Sequence, residues 1–316
     1  MDNKFKIIKN QEKLKSYKIK DDHKIKVDKR RIARRVKLSQ FSRYLFSLSL
    51  AFAMLVLSIL LYRVVVDSIG WLNIEFLTKR LSISPEKAGI YSVIMGSVYL
   101  TLIVIPVTLI LGVSTSIYLE EYSSKGKVRK FINTNISNLA SVPSVIFGLL
   151  GLTLFSRILN LGSSILAGGL TLSLLVLPII VVSSQEAIRA VPKELKEASL
   201  AMGATKWTTV RRVVLPVAMP GILTGSILSI SRAIGETAPL VVLGIPTLIL
   251  RTPTSIFDDF TALPIQIYYW TLDTVLTPEY ANLAAATIVV LLVVLLVMNS
   301  AAIIIRNRFQ KKLYKG

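Results

Sequence analysis

Residues Ala190–Pro216 read AVPKELKEASLAMGATKWTTVRRVVLP, a charged stretch set between two long apolar runs. Pro192 suits the first turn of a helix, Glu194 and Glu197 favour its N-terminal half, and Gly203 suits its end. A second short helix fits Lys206–Val214 and meets the next apolar run at Pro216. The expected product is a compact helix–turn–helix hung between two membrane segments. Its first helix carries Ala198, Ser199, Ala201 and Gly203, small enough to lie closely in a partner's groove. An ordinary charged loop is the plainer alternative.

Outward from this stretch the chain is dominated by apolar sequence. Of its 316 residues 53% are hydrophobic, yet the formal net charge is +20, and the mean hydropathy is +0.61. Runs of roughly 20 apolar residues are what a spanning helix needs, and six are present: Leu45–Val66, Val93–Tyr118, Ile136–Phe155, Ile165–Val182, Leu215–Ala233 and Ala281–Ile305. The expected fold class is an all-α polytopic membrane protein with six transmembrane helices. With the N-terminus inside, the inner segments hold 31 of the 38 Lys and Arg and the outer segments hold Lys79, Arg80, Lys87, Arg157 and Arg251. Every inner segment outweighs every outer one, as the positive-inside rule requires. Both termini are therefore expected on the cytoplasmic side. The domains expected are a basic tail over residues 1–43, a membrane domain over 44–308 containing the loop at about 190–216, and a short basic tail over 309–316.

Within the runs, Gly96, Gly112, Gly148, Gly151, Gly168, Gly169, Gly221 and Gly225 let helix backbones approach closely, which points to one packed bundle. Pro106, Pro143, Pro178 and Pro220 imply kinks or local unwinding that must face protein or a cavity. Arg63, near the outer end of the first run, can snorkel to the interface. Leu240–Leu250 is apolar within a long outer segment and fits either a re-entrant or an interfacial element.

Several chemistries drop out. There is no cysteine, so disulfides and thiolate sites are impossible, and no His/Asp/Glu cluster shows metal-ligand spacing. The one histidine, His23, lies in the lysine-rich tail and reads as a solvated side chain. That tail suits anionic lipid rather than nucleic acid, and it is too long and charged for a cleaved signal peptide, so the first run is expected to be a retained anchor. No GxxxxGK[ST] loop exists to cradle nucleotide phosphates.

The spacing Glu197-Ala198-Ser199, three residues, Gly203, nine residues, Val213-Val214-Leu215-Pro216 resembles the EAA motif of binding-protein-dependent ABC importer permeases. Ser199 and Val213 depart mildly from its usual alanine and isoleucine. The resemblance implies the type I importer permease (MetI-like) fold, in which this loop is the cytoplasmic coupling helix docking on a separate ATPase. Glu197, Ala198, Ser199, Gly203, Leu215 and Pro216 are then the coupling residues. The segments SVPSVIFGLLGL (Ser141–Leu152), LAGGLTLSLLVLPII (Leu166–Ile180), SLAMGATKW (Ser199–Trp207), LPVAMPGILTGSILSISRAIGETAPL (Leu215–Leu240) and ANLAAATIVVLLVVLL (Ala281–Leu296) are similar to the PstA family of phosphate permeases, across about Arg43–Arg308. The sister PstC family shares RAIGET. A permease for another oxyanion or an amino acid is the further alternative. The PstA resemblance implies a bacterial inner-membrane complex with a PstC-like second permease, a PstB-like ATPase dimer that binds the ATP, and a PstS-like external phosphate-binding protein. The chain itself would hold no cofactor or metal and perform no catalysis.

Arg232 and Glu236 stand near the outer end of the fifth run, spaced i, i+4, with Ser229 at i−3. Ionisable groups inside a membrane helix cost roughly 2.5–3.5 kcal/mol at its centre on insertion scales, so they face a cavity or a partner. Two readings follow: an ion pair that steadies the bundle, or a substrate path formed by Arg232, Glu236 and Ser229. Guanidinium suits a tetrahedral oxyanion, and the carboxylate could accept a hydrogen bond from protonated phosphate.

Overall fold

Inside lipid a backbone must satisfy its own hydrogen bonds, and a helix does so within one segment. The computed structural model of the chain follows that rule; it describes residues 29–124, 126–249 and 251–315. The tail before Lys29, with His23, lies outside the described residues. The chain divides into two units, Met1–Tyr62 and Arg63–Gly316. The described part of the first is most of α1 (Lys29–Ser68). This sequence contains neither Gly nor Pro, so nothing breaks the helix where the apolar run begins, and it starts well inside the segment 1–43 expected to be a tail. Arg63 pairs with Asp67 at 3.8 Å.

In the second unit, α2 (Ile74–Thr78) leads to α3 (Tyr91–Ile117), which a π-helical turn, Tyr118–Tyr122, prolongs. Then come α4 (Lys127–Leu139), α5 (Ser144–Gly151) prolonged by a π turn over Leu152–Ile158, α6 (Ile165–Arg189) and α7 (Lys193–Ala201). Next is α8 (Lys206–Thr209), joined through a π turn, Val210–Val214, to α9 (Leu215–Ile234). α10 (Ala238–Leu243), α11 (Leu263–Asp273) and α12 (Glu279–Lys315) follow. Among the described residues, α1 included, five helical stretches are long and apolar enough to cross a membrane, or six if the bent pair α4–α5 counts as one.

α6 is the centre of the second unit. Ile165, Leu172, Val176 and Ile180 on it are buried, together with Leu100 and Val104 of α3, Phe147, Ile230, Leu240 and Phe260. Lipid offers no hydrophobic drive for this association, so close fit supplies it. A Cβ added at Gly169 would lie 2.7 Å from Ile103, and one at Gly151 would lie 2.1 Å from the Thr171 hydroxyl. The expectation that glycines mark a packed bundle holds at both contacts. A second cluster joins Phe76, Ile90, Val93, Leu263, Trp270 and Leu283. A third roots the loop of interest with Ile188, Val191, Val214, Ala218 and Ile222.

At four places the structure draws boundaries that the sequence left open or placed elsewhere. The third apolar run is not one helix: α4 and α5 meet at 100°. Pro143 has no N–H to continue α4, and Val142 before it is biased away from helical geometry. The short helix expected over Lys206–Val214 does not stop at Pro216. It runs on into α9, because the wider π turn lets the Leu215 N–H reach the Val210 carbonyl and relieves the proline's clash with the preceding turn. Leu240–Leu250 begins within α10, whose Pro239, Leu240 and Leu243 are buried, and Gly244 at φ +81° ends it. The expected C-terminal tail over 309–316 continues α12 to Lys315.

Beyond α10 the chain folds over the start of α6. The carbonyls of Asp258 and Ile256 accept from Ile165 and Leu166, two N–H groups that a helix start leaves unpaired. The Asp258 carboxylate accepts from the backbone of Thr254, then that of Ser255, and from the Thr254 hydroxyl, which holds it below the usual aspartate range.

Candidate functional site

The loop takes its shape from two backbone signals. Pro192 precedes α7 in extended geometry, and Gly203 ends it at φ +82°. The Gly203 N–H reaches the Leu200 carbonyl at 3.0 Å and the Ala204 N–H reaches Ser199 at 3.2 Å. A Cβ at Gly203 would meet nothing within 4 Å, so the positive φ alone is what demands glycine there. Thr205 caps α8 through the Thr208 N–H. The Ser199 and Thr209 hydroxyls, 2.9 Å apart, staple α7 to the limb that enters α9. Of the other expected coupling residues, Glu197 and Ala198 are exposed, while Leu215 and Pro216 open α9. Leu195 and Leu200 of α7 and Met202 at its cap are exposed apolar side chains.

Facing this loop is a group of charges that the residue-by-residue reading passed over. The π turn Tyr118–Tyr122 buries Leu119 and presents three polar neighbours. Glu120, almost fully buried, accepts from Arg129 of α4 and Arg189 of α6, each at 2.5 Å. Glu121 pairs with Lys196 of α7 at 2.5 Å. The Lys206 ammonium sits 5.1 Å from the centre of the Tyr122 ring, within cation–π range. Gln185 donates to Asn133 at 3.0 Å, a further tie between α6 and α4. The available signal was two adjacent carboxylates closing an apolar run, opposite segments rich in Lys and Arg.

At the other end of α9 the expected pair forms. Arg232 Nε lies 3.3 Å from Glu236 Oε1, with side chains 63% and 17% exposed. Glu236 itself is past the helix, which stops at Ile234 with Gly235 as its cap. Among the described residues, the two terminal nitrogens of Arg232 take no partner. Ser229 stands apart: it is buried and spends its hydroxyl proton on the Gly225 carbonyl at 2.8 Å. Arg232 belongs instead to an exposed stripe of α9 formed with Val217, Gly221, Thr224 and Leu228. The stripe repeats every three or four residues, one helix face. Midway along the stripe, Arg306 of α12 donates to Thr224 at 3.3 Å.

Residues 109–313, nearly two thirds of the chain, match the family described as binding-protein-dependent transport system inner membrane component. The chain belongs to that family. Among curated relatives, this permease is 37% identical over 197 residues to the probable ABC transporter permease YqgI of Bacillus subtilis, covering 62% of this chain and 67% of that one. It is 37% identical over 218 residues to the phosphate transport system permease PstA 1 of Mycobacterium tuberculosis, covering 67% and 70%. Against the PstA of Mycobacterium leprae the identity is 39% over 204 residues, covering 63% and 64%. The inward-facing MetNI methionine transporter superposes with a TM-score of 0.55 at 19% identity, covering 70% of this chain and 94% of that one. The bacterial importer of the acidic polysaccharide alginate gives 0.59 at 16%, covering 87% and 99%. At such identities the superpositions speak for the fold alone, and the fold is the type I importer permease fold expected from the EAA-like spacing. The permease is thus a multi-pass inner-membrane component of a binding-protein-dependent transport system, a class that works with an ATPase and a substrate-binding protein.

Proposed function

We propose that this permease is the PstA-type half of a pore that imports inorganic phosphate, powered by ATP bound on a separate subunit. The observation that carries the reading is its 37–39% identity to phosphate transport permeases over about two thirds of the chain. In this reading the 190–216 loop faces the cytoplasm, both termini lie on that side, and α7 docks on a PstB-like ATPase dimer. A PstC-like chain completes the pore, and a PstS-like protein delivers phosphate from outside. Closure of the ATPase pair moves α7 and switches the two permeases between inward- and outward-facing states. The exposed stripe of α9 supplies one wall of the path, where the terminal nitrogens of Arg232 offer two parallel donors to a tetrahedral oxyanion. Glu236 steadies that guanidinium and accepts from a protonated phosphate oxygen.

The test is reconstitution of the four-component complex in vesicles, with ATP hydrolysis and uptake of labelled anion measured together. Phosphate with its binding protein should stimulate both, and sulfate should stimulate neither. Stimulation by sulfate, or by a non-anionic substrate alone, would overturn the phosphate assignment and leave the family assignment standing.

A further inference from the structure

Three successive residues of the π turn Tyr118–Tyr122 each hold a different part of the loop end. Glu120 holds α4 and the end of α6, Glu121 holds α7, and Tyr122 lies under Lys206 at the start of α8. α7 has no buried residue of its own. Among the described residues, its side-chain hydrogen bonds to other elements run through Ser199, which reaches Thr209 on the next limb, and through Lys196, which reaches the π turn that prolongs α3. Among the described residues, the Lys196–Glu121 pair is the ionic link between the loop helix and a span not contiguous with it in sequence. Both side chains are largely withdrawn from solvent, so the pair is a fixed strut, unlike a fluctuating surface contact. The turn beneath it is widened, the Ser123 N–H reaching back five residues to the Tyr118 carbonyl, a geometry frequent at functional sites. Above the turn, α3 is locked to α6 at Gly112 against Ile180 and at Ile103 against Gly169. A shift of α7 passed to Glu121 therefore arrives at the centre of the bundle.

We infer that Glu121 and Lys196 are positioning residues for coupling, a strut that carries displacement of α7 into span α3 while Glu120 pins the turn to α4 and α6. The inference rests on the reading that α7 docks on an ATPase and adds the route by which docking reaches the spans. The experiment uses the complex in lipid vesicles, with uptake of labelled inorganic phosphate and ATP hydrolysis read in the same preparation for Glu121→Lys, Lys196→Glu and the double exchange. Phosphate moved per ATP should fall about 5-fold or more in each single variant, the lower end of usual coupling between sites. The ATPase subunit should stay bound, and the exchange should restore most of the ratio. An unchanged ratio in the singles overturns the inference, as does a ratio that the exchange leaves low, or loss of the ATPase subunit from the singles. If a charge-reversed chain fails to accumulate, Glu121→Gln and Lys196→Met give the same ratio without introducing repulsion. Retention of the ATPase by the unaltered complex tests the docking reading by itself, so the two failures are distinguishable.

Discussion

Glu120 offers a measurement whose size follows from burial. Its side chain is 7% exposed, that of Arg129 12%, and that of Arg189 52%. Glu120→Gln keeps the shape and one acceptor oxygen but strands Arg129 in a poorly solvated place without a counter-ion. Removing one partner of a buried pair costs about 3–5 kcal/mol. Arg189→Gln leaves Glu120 still paired with Arg129, and half-exposed pairs are worth about 0.2–1 kcal/mol. Arg129→Gln falls between, since Glu120 then depends on the more solvated arginine. The expected order of destabilisation is Glu120→Gln, then Arg129→Gln, then Arg189→Gln. Thermal denaturation of the purified chain in one detergent, with all three variants side by side, reads the order directly. A midpoint unchanged in Glu120→Gln, or a loss in Arg189→Gln as large as in Glu120→Gln, would refute the argument from burial.

Gly151→Ala should destabilise by about 1–3 kcal/mol through overpacking, because the new methyl would meet three atoms of the Thr171 side chain within 3 Å. Adding Thr171→Gly should recover part of the lost denaturation midpoint, and no recovery would mean the clash lies elsewhere. Gly203→Val forces a β-branched residue into left-handed geometry, at roughly 1–2 kcal/mol, whereas Gly203→Asn is tolerated there. Copurified ATPase should fall for the valine variant and not for the asparagine one. Single cysteines at Ser82 and Ser123, placed in a chain without native cysteine, should react with an impermeant reagent from outside at the first position only; the reverse pattern contradicts the proposed sidedness. Arg232→Lys keeps the charge and loses the planar fork, so phosphate uptake should drop with assembly intact. Full uptake in the Arg232→Glu, Glu236→Arg double exchange would reduce the pair to a structural one.

What the sequence disclosed and what it withheld divide along a physical line. α7 was legible because its signals are local: Pro192, the early glutamates and Gly203 act on their own backbone within one or two turns. The packing glycines were legible because a residue without a side chain inside lipid has few uses other than close approach. Pro143 signalled a kink in the third run, but not its size: a proline marks where a helix is interrupted, while the 100° turn of the backbone is set by packing around it. The π turns carry no compositional mark. Glu120 and Glu121 were missed for another reason. Their partners lie 9, 69 and 75 residues away, and no spacing rule reaches that far. Ser229 shows the limit of register alone: spacing put it one turn from Arg232, but it is buried and its hydroxyl donates to the Gly225 carbonyl.

The two charged regions of the second unit differ in a way that separates holding from handling. At the loop end both carboxylates of the π turn are withdrawn from solvent and matched to cations on other elements, so each charge is already committed to the fold. At the far end of α9, Arg232 is 63% exposed and meets one oxygen through Nε, and among the described residues its terminal nitrogens take no partner. A charge kept only for stability gains from the first arrangement and little from the second, because exposed pairs contribute so weakly. Yet an exposed arginine within a membrane helix still bears a desolvation cost wherever lipid covers it. That cost vanishes if the face borders water or a partner chain instead. In the proposed reading the stripe from Val217 to Arg232 borders an aqueous path and Glu236 orients the guanidinium; burial of the same face against a partner chain would relieve the cost equally.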